Sequence, residues 1–120
     1  MNRQELEYRA LKIFEEQPNI TQRQLAKKLN MSLGKTHYLV KSLIEVGWLK
    51  FSNFKNSDNK WSYSYLLTPQ GIIEKSIITI NFLAKKQQEF SDLQKEIQQL
   101  QEELKQNKNH MNYSSDVTKK

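Results

Sequence analysis

Apolar residues recur along the chain with two different periods, and the change of period marks out its elements. Over residues 4–17, Leu6, Ala10, Leu11, Ile13 and Phe14 largely follow helical spacing, which predicts one apolar face on a helix of about four turns. Pro18-Asn19 stops it. Thr21 and Gln24 then read as a capping box, the threonine hydroxyl accepting from the Gln24 amide while the Gln24 side chain reaches back. Leu25, Ala26 and Leu29 predict a short second helix ending near Leu29. Asn30 falls where the chain must turn sharply, and asparagine tolerates the left-handed conformation better than any residue but glycine. Met31 is an apolar plug. Ser32 is a good N-cap for a third helix running to about Glu45, with Thr36, Leu39, Val40 and Leu43 facing inward and Gly47 ending it.

From Trp48 the period becomes 2. Residues 48–54 and 61–67 are strand candidates, the second with Trp61, Tyr63, Tyr65 and Leu67 alternating, and the polar run 55–60 joins them as a β-hairpin. Thr68 as N-cap and Pro69 at the first helical position restart a helix. No proline or glycine follows Gly71, so this helix is expected to run to about Asn107. Within it Leu83, Phe90, Leu93, Ile97, Leu100 and Leu104 step by seven, three, four, three and four, a heptad seam interrupted by Lys86. Such a seam on one helix predicts a homodimer. Residues 108–120 are polar and aperiodic and are expected to be disordered. Helix, helix, turn, helix, hairpin and long helix is the order of a winged helix-turn-helix. The expected fold is mainly α with a small β-hairpin (α+β), divided into a winged head over 1–68, a coiled-coil-like dimerisation helix over 69–107 and a tail over 108–120.

Composition narrows the function. The 120 residues contain no cysteine, which removes disulfides, thiolate metal sites and thiol catalysis. No stretch approaches the roughly 18 apolar residues of a membrane span, and the first residues carry no hydrophobic signal core, so a cytoplasmic protein with no membrane partner is expected. The net charge is +6, and it is uneven: up to Lys75 there are 12 Lys and Arg against 7 Asp and Glu, whereas the remainder is nearly balanced. A basic head on a nearly neutral tail suits a polyanion.

The third helix is the expected reading element. Two helices joined by a tight turn present the second to the DNA major groove. Its outer face holds Gly34, Tyr38, Lys41 and Ser42, flanked by Lys35 and His37. His37, Tyr38 and Lys41 are candidates for base edges, Ser32 and Lys35 for phosphates, and Gly34 for close approach of the backbone to DNA. Thr21, Gln22 and Arg23 at the start of the second helix are further candidates for phosphate contact. Lys55, Asn56, Asn59 and Lys60 would form a wing in the minor groove or on phosphates. The strand aromatics fit a small core better than a base-stacking platform for single strands. No pair of histidines has metal-ligand spacing, and there is no glycine-rich phosphate loop or nucleophile motif, so neither an enzyme nor a cofactor is expected.

The stretch from Ser32 to Leu83 resembles the MarR-type winged-helix regulators, and most the compact EPS-associated branch found beside exopolysaccharide biosynthesis genes. The pieces that carry the resemblance are Ser32-Leu-Gly-Lys35, Gly47-Trp48, Asn53-Phe-Lys-Asn-Ser57 and Leu67-Thr-Pro-Gln-Gly71. The resemblance covers roughly residues 4–105. It implies a homodimer, double-stranded DNA as ligand and control of transcription, with surface-polysaccharide genes as targets. The chain departs from full-length MarR proteins in having little before the first helix and a single helix after the wing, which speaks against a small-molecule effector pocket. Two other readings stay open on sequence alone: a winged-helix adaptor whose coiled coil recruits a different partner, and an RNA-binding winged helix.

Overall fold

The computed structural model describes residues 2–118, with side chains described through residue 111. The order of elements is α1 (Arg3–Glu16), α2 (Gln22–Leu29), α3 (Leu33–Glu45), β1 (Leu49–Lys55), β2 (Trp61–Leu67) and α4 (Pro69–Thr118). Two compact units divide within α4, the first reaching Phe82 and the second starting at Leu83. The first unit therefore takes in the start of α4, beyond the boundary expected at residue 68. The physical reason is local. Ile78 is buried, Phe82 stacks on Tyr8 with ring centroids 5.3 Å apart, and Lys75 pairs with Glu15.

Each element of the first unit starts and stops where side-chain chemistry directs. Asn2 caps α1, its Oδ1 accepting from the Glu5 amide at 2.8 Å. The capping box of α2 is complete, with Thr21 Oγ1 accepting from Gln24 N–H and Gln24 Oε1 accepting from Thr21 N–H, both at 3.0 Å. Asn30 adopts φ 54 and ψ 49, the left-handed conformation that turns the chain from α2 towards α3. Ser32 caps α3 through its Oγ to the Lys35 amide, and its carbonyl takes the Thr36 hydroxyl at 2.9 Å. Thr36 is thereby buried with its hydroxyl satisfied, as a buried polar group requires.

The core is where three helical faces meet the base of the hairpin. Leu11, Phe14, Leu25, Leu29, Leu39, Leu43, Leu49 and Tyr65 are buried together, with Leu6, Ile13 and Met31 packed at the edge. Burial of each large side chain is worth about 1.5–3 kcal/mol. β1 and β2 pair antiparallel from Leu49↔Leu67 to Lys55↔Trp61. The hairpin is tied to the helices by the Tyr65 amide, which donates to the Pro18 carbonyl at 2.8 Å. Gly71 lets α4 start directly against this assembly: a Cβ there would lie 2.0 Å from the Trp48 carbonyl oxygen.

α4 continues to Thr118, past the end expected near Asn107, so the segment expected to be disordered from residue 108 is helical as far as it is described. Nothing in that segment breaks a helix, since it contains neither proline nor glycine. Residues 119 and 120, the end of the expected tail, lie outside the described residues. Among the described residues no helix is long and apolar enough to cross a membrane.

Candidate nucleic-acid interface

α3 is amphipathic with a sharp division. Thr36, Leu39, Val40 and Leu43 face the core, and Ser32, Gly34, Lys35, His37, Tyr38 and Lys41 are exposed. Tyr38 is 67% exposed, and a Cβ on Gly34 would meet no atom within 4 Å. Neither residue serves the interior. Ser42, expected on the same face, is half-buried and turned towards α1: its Oγ donates to the Leu39 carbonyl and accepts from the Arg3 guanidinium, both at 2.8 Å. Arg3 itself lines a surface hollow with Gly34, Lys35 and Tyr38, a cation beside the face that helical spacing within α3 could not reveal. Lys41 lies 4.0 Å from Glu45 one turn on, an exposed pair of little energetic weight.

Of the three residues expected at the start of α2, Thr21 and Arg23 are exposed and Gln22 is half-buried. The Gln22 side chain is turned inward. Its Nε2 donates to the Tyr65 hydroxyl at 3.3 Å, and its Oε1 lies 3.0 Å from His37 Nδ1. This link between β2, α2 and α3 is tertiary and leaves no trace in residue spacing. Beside it, Val40, Ile44, Phe51 and Tyr65 line an open groove of about 470 Å³ between α3 and the hairpin.

The hairpin turn separates two roles that its sequence blends. Asn56 builds the turn: its Oδ1 accepts from the amides of Asp58 and Lys60 at 3.0 and 3.1 Å, and its Nδ2 donates to Ser62 Oγ at 3.2 Å. Asn59 supplies the positive φ of 62 that the turn needs. The two asparagines thus shape the wing, while Lys55 and Lys60 carry its charge on exposed side chains. The strand aromatics form a ladder from core to tip. Tyr65 packs on Phe14 with centroids 5.0 Å apart, and Phe51 contacts Tyr65 and Tyr63 at 5.3 and 5.9 Å. Trp61 at the outer end is 68% exposed, with the Lys55 ammonium 5.3 Å from its ring centroid. The expectation that these aromatics serve the core holds for Tyr65, while Trp61, at the outer end of β2, stands outside the core.

On α4 the seam residues Leu83, Phe90, Leu93, Ile97, Leu100 and Leu104 are 45–70% exposed. Met111, seven residues beyond Leu104, is exposed as well and extends the heptad by one step past the helix end expected at Asn107. Lys86, at the interruption, pairs with Glu89 at 3.2 Å. In the first unit Ile73, Ile77 and Ile80 make a further exposed apolar stripe.

Residues 3–50 match the family model of winged helix-turn-helix DNA-binding domains. No curated protein matches the chain. Among solved structures it is similar to the adhesin competence repressor AdcR of Streptococcus pyogenes, at 24% identity and TM-score 0.56 over 75% of this chain and 65% of that one. It is similar to MepR, a transcription regulator of the Staphylococcus aureus multidrug efflux pump MepA, at 20% identity and TM-score 0.54 over 84% and 74%. A third is Staphylococcus aureus MarR in complex with salicylate and kanamycin, at 15% identity and TM-score 0.53 over 72% and 56%. The chain thus spans less than two thirds of the MarR and AdcR chains, and at these identities the likeness is one of fold. The fold is a winged helix-turn-helix followed by a long C-terminal helix.

Proposed function

We propose that this protein is a sequence-specific double-stranded DNA-binding regulator of transcription that acts as a homodimer. The observation that carries the reading is the outer face of α3. Gly34, Lys35, His37, Tyr38 and Lys41 are exposed together, and the empty space over Gly34 shows that the interior does not ask for a glycine there. In this reading His37, Tyr38 and Lys41 meet base edges, while Ser32, Lys35, Thr21 and Arg23 meet phosphates. Lys55, Lys60 and Trp61 form the contacting edge of the wing. The seam of α4, from Leu83 to Leu104, is covered by the same seam of a second copy. The resemblance to the EPS-associated regulators points to surface-polysaccharide genes as the targets.

The test is binding to unrelated duplexes at two salt concentrations. Neutralised phosphates release counterions, so affinity should fall by at least tenfold between about 50 and 200 mM salt. Lys35→Ala and Lys60→Ala should weaken binding to every sequence, whereas His37→Ala, Tyr38→Ala and Lys41→Ala should change which sequence is preferred. Equal losses on every duplex for all five variants would contradict the base-reading assignment. The adaptor reading has one observation on its side, the open groove beside α3 lined by Ile44 and Phe51. A folded protein that ignores duplex DNA at about 50 mM salt would favour it over DNA binding.

A further inference from the structure

We propose that Gln22 is a positioning residue that holds the His37 imidazole with its proton on Nδ1, so that Nε2 reads DNA as a hydrogen-bond acceptor. The inference rests on the DNA-binding reading and says which bases that face selects. Tyr65 is the fixed end of the link: it is buried, its ring packs on Phe14 and Phe51, and its amide is bound to the Pro18 carbonyl. Its hydroxyl takes the Gln22 Nε2 donor, which turns Gln22 Oε1 towards His37 Nδ1 at 3.0 Å. With the Gln22 amide in this orientation its carbonyl oxygen can only accept, so the contact with His37 forms when Nδ1 bears the hydrogen. In a neutral imidazole the other nitrogen is then an acceptor. His37 is exposed on the outer face of α3, so Nε2 is the end available to a ligand.

In the major groove the hydrogen-bond donors on base edges are the exocyclic amino groups of cytosine and adenine; guanine and thymine present acceptors there. The base read by His37 is therefore cytosine or adenine. Gln22, expected from sequence to touch phosphate, instead sets the polarity of its neighbour.

Two measurements test this. The first is the ¹⁵N spectrum of the imidazoles in the intact wild-type protein at pH 8, with His37 assigned by its absence in His37→Gln. The expected result is the Nδ1–H tautomer for His37; the Nε2–H tautomer would overturn the proposal. The second is selection of binding sites from random duplexes. One position of the wild-type site should lose its preference in His37→Ala, and that base should be cytosine or adenine. Gln22→Ala should reduce discrimination there about threefold or more, while binding to an unrelated duplex is unchanged; the double variant should lose nothing further. A thermal melt of Gln22→Ala close to that of the wild type guards against a misfolded alanine variant. Selection of guanine or thymine at that position, no position that depends on His37, or an unmoved preference in Gln22→Ala would each refute the role of Gln22 while leaving DNA binding intact. A wild-type protein that enriches no sequence would refute the DNA-binding reading itself.

Discussion

A methyl group on Gly34 would meet no atom within 4 Å, so nothing inside the protein accounts for a glycine there. Alanine is the better helix former by up to about 1 kcal/mol. Gly34→Ala should therefore raise the melting temperature by a few degrees while lowering DNA affinity, and a thermal melt and a titration on one preparation check both. A variant that is more stable and binds normally would leave the residue without a role. Gly71 is the opposite case. Its Cβ would lie 2.0 Å from the backbone oxygen of Trp48, so Gly71→Ala should destabilise the first unit by about 1–3 kcal/mol or more, read as a lower denaturant midpoint. Sequence made one of these glycines legible and not the other. Gly34 is conspicuous because it interrupts a helix, whereas the close approach of Trp48 to Gly71 exists only after β2 has returned the chain. The same distinction separates Asn30, whose left-handed turn was readable from position, from Gln22, whose partners come from α3 and β2.

Among the elements, the three short helices and the hairpin follow the apolar pattern closely, because each has a cap or breaker in its own sequence. α4 does not. Polarity alone marks an end near Asn107, and the helix runs on to Thr118 because no residue in it stops a helix. The hairpin lies where the alternation puts it, and the structure adds what spacing does not show: Asn56 and Asn59 shape the turn, and Lys55 sits over the exposed Trp61 ring. If the wing contacts DNA, the fluorescence of Trp61 should change when a duplex is added, measured in a Trp48→Phe background so that Trp61 is the remaining tryptophan. Trp61→Ala should then cost affinity without unfolding the domain, since the ring is largely outside the core. An unchanged signal at saturating DNA would remove the wing tip from the interface.

For the whole molecule, the exposed seam on α4 is the surface that a second copy would cover in the proposed homodimer. Each of its large apolar side chains forgoes about 1.5–3 kcal/mol while it stays in water. Leu93→Asp with Leu100→Asp should give a monomer by sedimentation, and that monomer should bind DNA much more weakly than the wild type; an unaltered dimer would move the interface elsewhere. A two-fold dimer carrying two α3 helices reads two half-sites related by the same symmetry. The measurement that bears most directly on the function is therefore selection of duplexes from random sequence by the wild-type protein, followed by titration of the winner at two salt concentrations. The expected result is an inverted repeat with half-sites about one helical turn apart or a multiple of it, bound far more tightly than a scrambled duplex and weakened steeply by salt. A folded protein that enriches no sequence, even at low salt, would contradict it.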